Sequence, residues 1–277
     1  MTGLSRTAPS VSGFFVLTFA LTWLLWLPML LADQHLIDSV PGGLLLALGT
    51  AVPSLVALGL AARTGGAATL MRGLTRWRLP ARWYAAALLI PAVLMLTAVG
   101  LGVLLGATSP AFPAPGRWPL VAVNLLAVLL ISGPLGEELG WRGYALPRLE
   151  RHFGFTVAAV LLGLIWAAWQ LPLFLLPGTP QSQLPLGWFV LQTVAFSVVL
   201  AWVYGRTGSL LLVVLMHGAV NTLAGPLRVF PGADGSLRPY VLTTLLTVGA
   251  ALLLSWRSAA RRAEHTHDSI AQALEER

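Results

Sequence analysis

The chain has 277 residues, of which 57% are hydrophobic and only 10% are charged. Soluble domains carry about 25% charged residues, so this composition excludes an ordinary soluble domain and indicates a polytopic membrane protein. Seventeen basic residues, all of them Arg, outnumber ten acidic residues and give a net charge of +7. Because the arginines fall mostly between apolar runs, we attribute them to membrane topology and anionic lipid rather than to nucleic acid. The absence of Cys excludes disulfides, thiolate metal sites and a Cys nucleophile.

Eight apolar runs are close to the roughly 20 residues that a helix needs to cross the hydrocarbon. The first has no convincing cleavage site for a signal peptidase, so we expect it to be an uncleaved span. The sixth and seventh are separated only by residues 205–208, Gly-Arg-Thr-Gly, which predicts a tight hairpin. We therefore predict an all-α, polytopic fold with a membrane domain over residues 1–256 and a polar, helical cytoplasmic tail over 257–277. The predicted spans are 12–32, 42–62, 83–106, 118–138, 154–176, 186–205, 209–227 and 239–256.

The distribution of arginines predicts the orientation of these spans. If the N-terminus is cytoplasmic, fourteen arginines lie on the inner side and three on the outer side, namely Arg117, Arg228 and Arg238. This asymmetry is a strong positive-inside signal for eight spans with both termini in the cytoplasm. The Arg-only, Ala- and Gly-rich composition also suggests a GC-rich bacterial genome, and hence the bacterial inner membrane.

The segment between the second and third spans, residues 63–82, is the most basic part of the chain. Trp77 and Trp83 flank Arg78 and Arg82, a combination typical of segments that lie at the level of the lipid headgroups. We expect this segment to bind anionic lipid at the cytoplasmic face.

Two adjacent carboxylates, Glu137 and Glu138, follow the strongly apolar run of residues 125–131. Carboxylates so close to hydrocarbon need a partner or a function. On a helix Arg142 would lie on the same face as Glu138 at ion-pairing distance, whereas Glu137 is rotated by about 100° and faces elsewhere. Gly133 and Pro134 should break or kink the span at this point, which is tolerated where backbone lines a cavity. The alternative is a pair of carboxylates that reach water at the inner end of the span.

Two further polar sites lie in equally apolar surroundings. His217 and Asn221 are four residues apart and project from one helical face, where they would either join helices by hydrogen bonds or present donors to a substrate oxyanion. Gln170 lies between Trp166 and Pro172, and the proline opens the helix beside it. Its amide would either bond neighbouring helices or take a chemical role. We predict that the three polar sites meet in one membrane-buried pocket.

Together these residues resemble the three motifs of the type II CAAX prenyl protease family, the CPBP intramembrane proteases, which include bacteriocin-processing and immunity (Abi) relatives. The motifs are Glu-Glu-x-x-x-Arg at 137–142, Trp-x-x-x-polar-x-Pro at 166–172 and His-x-x-x-Asn at 217–221, and the matched region is about 118–225. The resemblance implies eight helices around a cavity open to the cytoplasm, and an endopeptidase acting on a membrane-associated peptide or protein.

The resemblance also implies roles for these residues. Glu137 would activate water, Glu138 would pair with Arg142 as support, and His217 and Asn221 would polarise the scissile carbonyl. Family members are often described as metalloproteases, so zinc is a candidate cofactor with Glu137 and His217 as its candidate ligands, although a metal-free mechanism also fits the motifs.

One departure from the family pattern is Gln170, where the second motif ends in His. Gln cannot share a proton with Glu137 and is a poor zinc ligand, so the chain would be a slow protease, one in which Gln170 positions water, or a pseudoprotease acting as a membrane scaffold, immunity or export partner. A transporter would also contain buried Glu and His. It requires a continuous polar path, however, and the outer halves of the spans contain few polar residues.

Overall fold

A computed structural model describes residues 10–107, 112–131, 133–231 and 236–275, with side chains only as far as residue 259. These residues form helices, and no strand occurs among them. The helices are α1 Val11–Asp33, α2 Gly42–Ala62, α3 Ala67–Leu74, α4 Ala81–Leu104, α5 Trp118–Ile131, α6 Pro134–Glu138, a π-helical turn Leu139–Ala145, α7 Leu146–Trp169, α8 Leu186–Thr207, α9 Leu210–Leu223 and α10 Arg238–Glu275, with short 3₁₀ turns at Pro115–Arg117, Leu171–Leu175 and Gln181–Gln183.

The predicted all-α, polytopic membrane fold is confirmed. In the described ranges six segments are long and apolar enough to cross a membrane, and one of them, Pro115–Leu175, contains both α5 and α7. Helix α9 is apolar but only 14 residues long. Apart from short α3 and α6, the eight remaining α-helices among the described residues correspond to the eight predicted spans. Large apolar side chains such as Val16, Leu89 and Leu130 are exposed along them, as expected of surfaces that face lipid.

Several predicted helix ends were wrong. The fourth span does not continue to 138 as one helix, because Gly133 adopts a left-handed φ of 101° and α6 begins anew at Pro134. The fifth helix begins earlier, at Leu146, is broken at Gly154 (φ 72°, ψ 172°), and ends at Trp169 rather than 176, where Pro172 opens a 3₁₀ turn. The seventh ends at Leu223, and the predicted tail is continuous in backbone with α10. The tail side chains from residue 260 onward lie outside the described part.

Close helix packing fixes the centre of the protein around α6 and the π-helical turn. Helix α2 packs against both of them, α8 packs between α7 and α10, and α4 packs against α9 and α10. A Cβ atom at Gly136 would lie 2.7 Å from the Thr50 carbonyl oxygen, and one at Gly140 would lie 2.6 Å from the Pro53 backbone. Small residues of this kind allow membrane helices to approach closely. The segment that carries the two glutamates is therefore held directly against the backbone of α2.

Candidate active site

The buried carboxylates depend on the chain break that precedes them. Gly133 takes a backbone conformation that other residues adopt only with strain. Pro134 then begins α6, where its missing N–H is no loss. The Ser54 hydroxyl of α2 donates a hydrogen bond to the Leu135 carbonyl over 2.8 Å and anchors this turn. The break therefore ends one span and starts a short helix inside the protein, as the Gly-Pro pair predicted.

Glu138 and Arg142 form the ion pair that their spacing predicted. Arg142 Nη1 lies 2.9 Å and 3.0 Å from the two carboxylate oxygens of Glu138, and both side chains are 0% exposed. The same carboxylate also contacts α9, because His217 Nδ1 lies 2.7 Å from Glu138 Oε1. The Arg142 guanidinium carbon also lies 4.4 Å from the centre of the Trp166 ring. Glu138 thus joins a cation on its own segment to an imidazole on another helix.

Glu137 faces a different partner, as its rotation relative to Glu138 predicted. The indole N–H of Trp166 on α7 donates to Glu137 Oε2 over 2.7 Å, and the side chain is 6% exposed. A hydrogen bond at one carboxylate oxygen fixes the rotamer of the group. Trp166 also packs edge-on against His217, with ring centroids 5.2 Å apart. The Trp166 indole therefore contacts both Glu137 and His217, the residues expected to activate water and to polarise the scissile carbonyl.

A cavity of about 610 Å³ lies beside this cluster, and four of the six predicted site residues line it: Glu137, Gln170, His217 and Asn221. Glu138 and Arg142 are not among the lining residues and lie behind Glu137 and His217. The predicted meeting of the three polar sites in one pocket is confirmed. With Nδ1 directed at Glu138, the other ring nitrogen of His217 is left for the cavity.

Gln170 caps the end of α7 at the cavity wall, and its Oε1 accepts a hydrogen bond of 2.7 Å from Gln181 Nε2. Gln181 lies in the connection between α7 and α8 and also lines the cavity. Because Oε1 is engaged in this bond, the NH₂ group of Gln170 is the part of the amide that can donate hydrogen bonds into the cavity. Sequence reasoning missed Gln181, because a residue in an irregular connection has no helical register that relates it to the site.

The donor set does not fit a catalytic zinc site, which normally takes three protein ligands from His, Cys and carboxylate. In the described ranges no group of three or more His, Cys, Asp or Glu side chains could hold a metal ion. The Glu138 carboxylate is already engaged by Arg142 and His217, and position 170 supplies an amide. The side chains at the site therefore do not make up a catalytic zinc site.

Two comparisons with known proteins concern the part of the chain that carries this site. The sequence profile of the family described as Type II CAAX prenyl endopeptidase Rce1-like matches residues 118–223. The resemblance to the CPBP family is confirmed. CAAX prenyl protease 2 from Methanococcus maripaludis is 28% identical over 143 residues, which cover 48% of this chain and 52% of the relative. The chain thus matches over about half the length of that curated relative. The Rce1-like match contains all six predicted site residues.

Proposed function

We propose that this protein is an intramembrane endopeptidase that hydrolyses a peptide bond of a membrane-associated peptide or protein. The observation that carries the proposal is the convergence of Glu137, Gln170, His217 and Asn221 on one cavity, with a buried ion pair behind them. Buried ionisable groups in a membrane domain are expensive to maintain and are usually functional. The name of the Methanococcus maripaludis relative makes prenylated peptides one candidate class of substrate.

In the proposed mechanism Glu137 acts as the general base. It takes a proton from water as the water oxygen bonds to the scissile carbonyl carbon, and the carbonyl oxygen becomes an oxyanion. Glu137 then returns that proton to the amide nitrogen as the C–N bond breaks, which yields a carboxylic acid and an amine. The Trp166 N–H, bonded to Oε2, leaves Oε1 as the oxygen that exchanges the proton.

The oxyanion would be stabilised by donors that line the same cavity. A doubly protonated His217 would donate its Nδ1–H to Glu138 and its Nε2–H to the oxyanion, and the amide of Asn221 lies one helical turn away. The Gln170 NH₂ group, oriented by Gln181, adds a third donor. Gln170 in this arrangement binds a carbonyl or positions water instead of sharing a proton.

The test is hydrolysis of a pool of lipid-anchored peptides by the purified protein in proteoliposomes, with products identified by mass spectrometry. Glu137→Gln should lower the cleavage rate by about 10²–10⁴-fold, the usual contribution of a general base, while the unfolding midpoint stays close to that of the wild type. Cleavage at the wild-type rate by Glu137→Gln would show that the assigned role is wrong.

A non-enzymatic scaffold, immunity or export partner is the second candidate, and Gln170 is the observation that favours it. Its carbonyl end is occupied by Gln181, and an amide has no acid–base function near neutral pH. Gln170→His distinguishes the two. If the wild type shows no cleavage and Gln170→His cleaves, the protein is a protease that has lost its activity through this residue. If the wild type is active and Gln170→His cleaves no faster, Gln170 takes part in the reaction.

We further propose that the basic segment between α2 and α4 lies at the cytoplasmic headgroup level of a bacterial inner membrane, with both termini cytoplasmic. Trp77 is exposed and carries the Arg78 guanidinium 5.2 Å from its ring centre, which suits an interfacial anchor to anionic lipid. Because the natural sequence has no Cys, Arg78→Cys gives a single thiol. Labelling of that thiol only from the cytoplasmic side of oriented vesicles would support this orientation, and labelling only from outside would reverse it.

A further inference from the structure

A second polar pair lines the same cavity, away from the residues of the proposed mechanism. Gln192 lies on α8 and Thr243 on α10, and both contribute to the cavity wall. Gln192 Oε1 and Thr243 Oγ1 are buried atoms without a hydrogen-bond partner among the described residues. Thr243 is 4% exposed. Polar atoms left unpaired in an apolar interior are costly, so these two require an explanation.

The threonines next to Thr243 show how this helix normally satisfies a hydroxyl. Thr244 donates to the Tyr240 carbonyl over 2.9 Å, and Thr247 donates to the Thr243 carbonyl over 2.8 Å. Both bonds follow the pattern in which a helical Thr bonds the carbonyl one turn earlier. Thr243 makes no such bond. Its hydroxyl, on a side chain that lines the cavity, therefore has no partner among the described residues.

The chemistry of the two atoms limits the occupant. The Oε1 atom of Gln192 can only accept, so its partner must carry a donor, while the Thr243 hydroxyl can donate and accept. A hydrocarbon or prenyl chain supplies neither group, and the oxygens of a lipid ester only accept. A peptide unit supplies one N–H and one C=O and satisfies both side chains together.

The pair is also at a suitable distance from the proposed chemistry. Phe196 follows Gln192 by four residues, or about 6 Å along α8, and its ring centroid lies 5.9 Å from that of His217. With the roughly 4 Å between the Phe196 Cα and its ring centre, these steps place the Gln192 Cα within roughly 16 Å of the His217 ring, which about five residues of extended chain would span.

We propose that Gln192 and Thr243 form a subsite that binds a backbone peptide group of the substrate, within about five residues of the scissile bond. The proposal rests on the proposed function and specifies its substrate: the cavity receives an extended peptide segment at this end, and not only a lipid chain.

The experiment measures binding, so that it is independent of cleavage. Glu137→Gln protein in nanodiscs is used to capture peptides from a pool of farnesylated decapeptides of mixed sequence, and a captured peptide is resynthesised with each backbone nitrogen methylated in turn. We expect one methylation to weaken binding about tenfold, because it removes the N–H that Gln192 accepts and leaves the buried Oε1 unpaired. Adding Gln192→Leu and Thr243→Val should weaken the unmodified peptide to a similar extent and abolish the effect of that methylation.

Thr244→Val in the Glu137→Gln protein is the matched control, because the hydroxyl of Thr244 bonds the Tyr240 carbonyl of its own helix and Thr244 does not line the cavity. It should bind as the reference does. Equal binding by the reference and the double variant, or no captured peptide, would overturn the subsite. In the first of these cases a single water, for which an adjoining void of about 20 Å³ has room, would explain the pair.

The two proposals fail separately. If wild-type protein cleaves nothing but the methylation effect depends on Gln192 and Thr243, the subsite stands and the protease proposal falls. If cleavage depends on Glu137 but the double variant binds normally, the reverse holds.

Discussion

Gly140→Ala should destabilise this protein although it adds only one methyl group. That methyl carbon would lie 2.6 Å from the carbonyl carbon and oxygen of Pro53 and 2.9 Å from Pro53 Cβ, against an ordinary contact of 3.4–4 Å. The atoms in the way are mainly helix backbone, so α2 and the π-helical turn must move apart by about 1 Å. Overpacking of this kind costs about 1–3 kcal/mol, and we expect the upper end of that range because no rotamer change relieves it.

Gly59→Ala is the matched control, on the helix against which Gly140 packs. Gly59 lies on α2 on an exposed face, and nothing lies within 4 Å of the Cβ that would be added. Replacing Gly by Ala in a helix interior is neutral or stabilises by up to about 1 kcal/mol. The two identical substitutions should therefore change the free energy of unfolding with opposite sign, or differ by at least about 2 kcal/mol.

The assay is equilibrium unfolding in mixed detergent micelles, followed by far-UV circular dichroism, with cleavage measured on the same preparations. Since Glu137 and Glu138 lie in α6, which leads directly into the displaced π-helical turn, Gly140→Ala should also lower the cleavage rate, by up to about 10²-fold for a displacement near 1 Å. A Gly140→Ala protein as stable and active as Gly59→Ala would refute the close packing of α2 on the π-helical turn.

Three further predictions concern the site itself. Arg142→Leu leaves Glu138 buried without its cation and should lower the free energy of unfolding by about 3–5 kcal/mol, whereas adding Glu138→Leu should recover at least half of that loss; additive effects would contradict the ion pair. Gln181→Leu should reduce cleavage about tenfold with little change in stability, because Gln170 loses its 2.7 Å bond and its fixed orientation; an unchanged rate would show that Gln181 does not position Gln170. Dialysis against a chelator should leave the cleavage rate unchanged, since the residues at the site do not make a zinc ligand set. Loss of cleavage on dialysis and its recovery with added zinc would reverse that conclusion.

Sequence alone predicted the features of this protein that depend on local chemistry. Hydropathy located the eight apolar helices, because crossing hydrocarbon requires about 20 apolar residues in succession. The four-residue spacing of Glu138 and Arg142 predicted their ion pair, which formed even though Arg142 lies in a π-helical turn. The Gly-Pro pair at 133–134 predicted the break that frees the short helix after it.

Only the tertiary structure determined which face of each helix meets which neighbour. Helices that are apolar on all sides carry no amphipathic stripe, so their sequences do not specify how they are rotated about their axes. For this reason the bonds from Trp166 to Glu137 and from His217 to Glu138 could not be derived from spacing. Close backbone contacts at residues such as Gly140 set those rotations. Gln181 meets Gln170 from an irregular connection, whose path sequence periodicity does not encode.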